Sequence, residues 1–136
     1  MKRVVYKCLF GHSELLNDFE CDRSDIDFVC FTDDPDLRSD FWKIVFLPRK
    51  LLDPARASKQ IKALPHVYLP QYDWSLYIDN TVELKVAPER LFEEYLAPAK
   101  SPLVCLARRK ELRLQNKCGR GSDQNAGNCL FQRSKV

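Results

Sequence analysis

Three polar clusters follow apolar runs in this chain, and each could carry chemistry: Gly11-His12, Thr32-Asp33-Asp34 and Asp79-Asn80-Thr81. The third is the most informative. An aspartate directly after a strand such as Leu76-Tyr77-Ile78 projects beyond the sheet edge, where it can hold Mg²⁺ or Mn²⁺, hard cations that prefer carboxylate oxygen and bridge to diphosphate. Aspartate also caps helices and forms turns, so position alone leaves a structural role open. Arg56, Lys59 and Lys62 are spaced i, i+3, i+6 and share a slowly drifting helical face. Arg56 and Lys59 fall in the first turns, at the positive end of the helix dipole, where cations are unfavourable unless an anion is near. A diphosphate would be such an anion, gripped by arginine as a planar fork and by lysine as a point charge. A solvated basic face is the plainer alternative.

The elements that must position these residues alternate along the chain. Residues 3–10 read as a buried strand ended by Gly11, and 27–31 as a second strand stopped by Thr32-Asp33-Asp34-Pro35. Trp42 to Leu47 is a third, stopped by Pro48. Asp53-Pro54 is a helix start, an aspartate cap followed by proline at the first helical position, with the helix running from Ala55 to about Ala63. Trp74 to Ile78 is a fourth strand, continued after a kink by Val82-Glu83-Leu84. Pro88 to Leu96 is a second helix and Leu103 to Leu106 a fifth strand. Strands alternating with helices indicate an α/β domain with a mainly parallel sheet and flanking helices, in which ligands bind beyond the carboxyl ends of the strands.

Composition sets the outer limits. A chain of 136 residues with 45% hydrophobic and 30% charged residues is one domain of ordinary size. No apolar run approaches the roughly 18 residues of a membrane span. Met1-Lys2-Arg3 opens directly into a strand without signal-peptide character, so a cytoplasmic protein is expected. The six cysteines contain no CxxC pair, and Cys8, Cys30 and Cys105 lie inside apolar strands; reduced core thiols are expected rather than disulfides or a zinc site. Trp42, Trp74 and Tyr77 read as core rather than as sugar platforms.

Several motifs together resemble a glycosyltransferase-like family of bacteria and plants. They are Ala55-Arg56-Ala57-Ser58-Lys59 through Leu64-Pro65-His66, then Tyr68-Leu69-Pro70, Asp73, Ser75 and Tyr77-Ile78-Asp79-Asn80. Upstream, Phe10-Gly11, Phe31-Thr32-Asp33 and Trp42 fit the same pattern in order. The family includes plant proteins assigned as hexosyltransferases of seed mucilage and is similar to the GT-A glycosyltransferases, so the resemblance implies a Rossmann-like fold and transfer of a hexose from a nucleotide sugar to a glycan or lipid-linked acceptor. It further implies that Asp79 is the first acid of a DxD-type motif holding Mn²⁺ or Mg²⁺ and the donor phosphates, with Asn80 beside it. Gly11, Asp33 and Asp34 would border the nucleoside, and Arg56 and Lys59 would face phosphate or sugar. The third motif position is Thr81 rather than an acid, which weakens the metal assignment. No catalytic base is assigned.

The resemblance covers residues 4–106 and stops where composition changes. Residues 1–106 carry 14 Lys+Arg against 17 Asp+Glu, whereas 107–136 carry 8 against 2, and all eight prolines precede Leu106. The last 30 residues show neither helical nor alternating periodicity and read as an irregular basic tail. Relatives continue with a histidine, a basic-Cys-x-Tyr cluster and an acidic helix. One permitted back-translation of the tail, shifted by one base from the Ala107 codon, gives HAAKNCVYKTNAEEVVIKMLETVYSKGQK, which restores all three. The tail is therefore read as frameshifted, the domain as truncated to its donor-binding half, and the short chain as having little or no transferase activity. A non-catalytic remnant is the second reading. A module whose basic tail contacts nucleic acid is the third, and with Phe131 as the tail's single aromatic residue it lacks stacking platforms.

Overall fold

A computed structural model describes residues 1–11, 15–18, 25–49, 53–84, 86–96, 103–106, 114–116 and 129–133. Four strands form a parallel core: β1 (Arg3–Leu9), β2 (Asp27–Thr32), β3 (Lys43–Phe46) and β4 (Trp74–Tyr77). Their spatial order is β3-β2-β1-β4, so the chain moves outward from β1 through β2 to β3, then returns to the opposite side of β1. Strand order therefore reverses between β1 and β4, the point at which open α/β sheets bind their ligands.

Both faces of β1 are covered, as a parallel strand requires. Val4 and Tyr6 pack with Val29, Phe31, Ala57, Ile61 and Tyr77 on one face. Val5 and Leu9 pack with Phe28, Cys30, Trp42, Leu76 and Ile78 on the other. The first face is closed by α1 (Pro54–Ala63), whose buried residues Ala57 and Ile61 lie one turn apart. Asp53 caps it as expected, its side chain accepting the Arg56 amide at 3.0 Å, with Pro54 in the first turn. Helix α1 stops at Leu64, and Pro65 starts a separate short helix, α2 (Pro65–Tyr68). The second face is closed by the loops around Leu16, Leu37 and Phe41 and by α3 (Pro88–Leu96), through Leu91 and Phe92.

Two expectations need correction. Val82–Leu84 does not prolong β4. A turn closed by the Val82 amide on the Asp79 carbonyl at 3.0 Å redirects the chain, and β5 (Val82–Leu84) pairs antiparallel with β7 (Leu114–Asn116) in a separate two-stranded sheet. The stretch beyond Leu106, read as irregular, contains β7 and also β8 (Cys129–Arg133), which lies between β4 and β6 (Leu103–Leu106) and pairs antiparallel with both. A strand inserted between two others takes its hydrogen bonds from both neighbours, so it can form without a strong alternating pattern of its own. The main sheet is thus six-stranded, with a parallel core and an antiparallel insertion.

The expected thiols at Cys8 and Cys30 are free, half-buried and buried respectively. Trp42 and Tyr77 are buried in the cores on the two faces of the sheet, and Trp74 packs against the core that holds Trp42. Among the described residues, no helix is long and apolar enough to cross a membrane.

Candidate functional site

The carboxyl ends of β1, β2 and β4 present two different arrangements. On the β1–β2 side, the chain leaves β1 through Gly11, whose φ of 90° lies in the region that favours glycine. A Cβ there would meet Pro54 Cγ at 2.7 Å, so the start of α1 also requires glycine at this point. The Gly11 amide donates to Asp33 Oδ1 at 3.1 Å, and Arg49 forms an ion pair with Asp33 Oδ2. Burial pushes the Asp33 carboxyl up, but the Gly11 amide and the Arg49 guanidinium outweigh it and hold it below its ordinary value. The Asp34 carboxylate accepts the Asp36 amide at 2.9 Å, and the Asp34 amide donates to Thr32 Oγ1 at 3.0 Å, so Asp34 shapes the turn that ends β2.

On the β1–β4 side, residues 79 and 80 diverge to opposite faces of the sheet, as successive residues leaving a strand do. Asp79 accepts the Tyr77 hydroxyl on Oδ1 at 2.8 Å. The Lys62 ammonium lies 4.5 Å from the centre of the Tyr77 ring. Tyr77 is itself buried, and burial followed by the nearby Asp79 charge pushes its hydroxyl far above the ordinary tyrosine value.

Asn80 turns toward the other face and ties the loop after β1 to the end of β4. Its Oδ1 accepts the Asn17 amide at 2.9 Å and Lys7 Nζ at 3.4 Å, while Nδ2 donates to the Leu15 carbonyl at 2.8 Å. Lys7 is fully buried in β1; its ammonium donates to the Asn17 carbonyl at 2.9 Å and lies 4.2 Å from the centre of a Trp42 ring. The buried Cys30 thiol on the neighbouring strand is pushed up to about 12 by burial, with Lys7 opposing the shift and Asp18 reinforcing it. Asn17 is 7% exposed, and neither polar atom of its carboxamide has a hydrogen-bond partner among the described residues. Such a group is costly unless something completes it.

The expected site residues therefore separate. Gly11 and Asp33 meet directly, whereas Asp79 and Asn80 both follow β4 but turn to opposite faces of the sheet. Arg56 and Lys59 are exposed on α1, and the Arg56 guanidinium lies 3.3 Å from Asp53. A spacing of three residues rotates around a helix by roughly 60° per step. Arg56 and Lys62 consequently leave α1 on opposite flanks of its buried stripe, and Lys62 is the member of the basic row that reaches the end of β4. Lys7, Asn17 and Arg49 were not legible as site residues; a lysine inside a strand gives no local sign of burial.

Two carboxylates with substrate phosphates would make a familiar setting for Mg²⁺ or Mn²⁺. Here Asp79 stands with a tyrosine hydroxyl already on Oδ1, and the third motif position is a threonine. Among the described residues, no group of three or more His, Cys, Asp or Glu side chains could hold a metal ion. The donor set fits a divalent cation poorly.

The family model described as TOD1/MUCI70, glycosyltransferase-like domain, matches residues 4–114. The chain belongs to this family. The TOD1/MUCI70 match includes the carboxyl ends of β1, β2 and β4 and extends past the compositional change at Leu106 to the first residue of β7. No curated protein matches the chain significantly.

Proposed function

We propose that this chain binds the nucleotide-sugar donor of a hexosyl transfer in the crevice between the carboxyl ends of β1 and β4. The observation that carries this reading is the grouping of Lys62, Tyr77 and Asp79 at the end of β4, beside the point of strand-order reversal, in a chain of a glycosyltransferase-like family. Ligands of open α/β sheets settle at such reversals, beyond the carboxyl ends of the strands.

The nucleoside would lie toward Gly11 and Asp33. A cavity of about 360 Å³ adjoins them, lined in part by Phe10, Leu47, Arg49, Gln60 and Tyr68. Its mixture of aromatic walls and a few polar groups suits a base and ribose, and its size falls at the lower end of ligand pockets. Asp79 would then address the hydroxyls or phosphates of the donor. The acceptor, a glycan or a lipid-linked sugar, would approach from the open side of the crevice, and no residue is assigned as its base.

Titration of the full chain with UDP in the presence of Mn²⁺ tests this reading. Wild type should bind, and Asp79→Ala should bind about tenfold more weakly or worse, a loss of roughly 1.4 kcal/mol. Equal binding by the variant would remove Asp79 from the site.

A further inference from the structure

Three groups line up on the α1 side of the end of β4. The Asp79 carboxylate accepts the Tyr77 hydroxyl, and the face of the same tyrosine ring carries the Lys62 ammonium. Lys62 and Asp79 also lie close enough to Cys8 to act on its thiol in opposite directions: burial pushes that thiol up first, Lys62 opposes the shift and Asp79 adds to it. No carboxylate among the described residues forms an ion pair with Lys62. Its ammonium has three N–H donors and no acceptor capacity, and an aromatic face satisfies it less well than an anion does. The half-buried stem fixes where the head can reach.

A diphosphate that enters the crevice beside Asp79 needs positive charge. The donor set there fits a divalent metal poorly, because the motif provides Asp79 but Thr81 in place of a second acid. We propose that Lys62 is the cation that holds the donor diphosphate, and that it stands in for a metal ion at this site. The assignment rests on the donor-binding reading given above. Tyr77 has two roles in it: its ring positions the ammonium, and its hydroxyl holds Asp79 in orientation for the ribose or sugar hydroxyls. Asp79 acts as a hydrogen-bond acceptor here rather than as a metal ligand.

Equilibrium titration of the full chain with UDP, in MnCl₂ and separately in EDTA, decides the matter. Wild type should bind UDP with affinities within about twofold of each other in the two buffers. Lys62→Met should weaken UDP binding by about tenfold or more in both, the loss expected for a charge-assisted phosphate contact. Binding of uridine, which has no phosphate, should be the same for wild type and variant. Lys62→Arg, which keeps the charge, should retain most of the UDP affinity and serves as the readout if Lys62→Met fails to fold. UDP binding that requires Mn²⁺, or that is unchanged in Lys62→Met, would overturn the assignment while leaving the donor site in place. Failure of both UDP and uridine to bind in either buffer would overturn the donor reading and this assignment with it.

Discussion

Asp33 and Asp79 follow the two strands that flank β1, at the same end of the same sheet, yet their surroundings differ. Asp33 is enclosed by groups that favour its charge: the Gly11 amide on one oxygen and the Arg49 guanidinium on the other. It fastens the turn after β1 to the turn after β2. Asp79 instead accepts a neutral hydroxyl, faces the Lys62 flank of α1 and adjoins an asparagine that binds the opposing loop. An acidic strand end is thus not itself a ligand site. What differs is the kind of group each one meets, a guanidinium and an amide at Asp33 and a tyrosine hydroxyl at Asp79.

The comparison can be broken most forcefully at Gly11. A Gly11→Val variant would force a β-branched residue to φ 90° and drive its Cβ to 2.7 Å from Pro54 Cγ. The expected destabilisation is about 3 kcal/mol or more, read as a lowered urea midpoint. At Asp33, replacement by alanine should cost about 2 kcal/mol, since it strands the Gly11 amide and Arg49 together.

Asp33 also predicts a pH dependence whose sign is fixed. Its folded-state carboxyl is held below the ordinary value, so the unfolded chain takes up the proton first as pH falls. The stabilisation is complete above the ordinary carboxylate value and is lost as pH falls through the lowered one. Asp33→Asn should therefore flatten the acid limb of the stability curve below about pH 4. An acid limb as steep as that of wild type would show that Asp33 is not the fastening group.

Lys7→Met sharpens the other side. It keeps the stem volume but removes the donor to the Asn17 carbonyl and Asn80 Oδ1, for an expected loss of about 2 kcal/mol by denaturant unfolding. The smallest effect is expected at Arg56, which is exposed and pairs with Asp53 on the surface. Arg56→Ala should change stability by less than about 1 kcal/mol and weaken UDP binding less than Lys62→Met does.

Much of the fold was legible because its signals are local. The apolar runs of β1 to β4, the Asp53-Pro54 start of α1 and the Pro88 start of α3 all lie within a few residues of the elements they specify. The strand-end positions of Gly11, Asp33 and Asp79 followed from those boundaries. What the sequence concealed depends on contacts between distant segments. Asn80 is 63 residues from its partner Asn17, and Lys7 is 73 from Asn80; no local pattern marks either pair. The basic row of α1 was visible as a row, but which of its members turns inward depends on where Ala57 and Ile61 pack. The strand β8 escaped detection for a related reason, since its pairing is set by the exposed edges of β4 and β6.

The central claim is that the polar crevice between β1 and β4 receives the donor. Backbone amide shift mapping on the full chain, with UDP added stepwise, tests it most directly. The account predicts that the largest saturable shifts fall at Gly11, Asn17, Asp18 and Asp79 to Val82, with Lys62 following them and the amino ends of β1 and β4 unmoved. Shifts concentrated in residues 107–136, or at the amino ends of the strands, would contradict it.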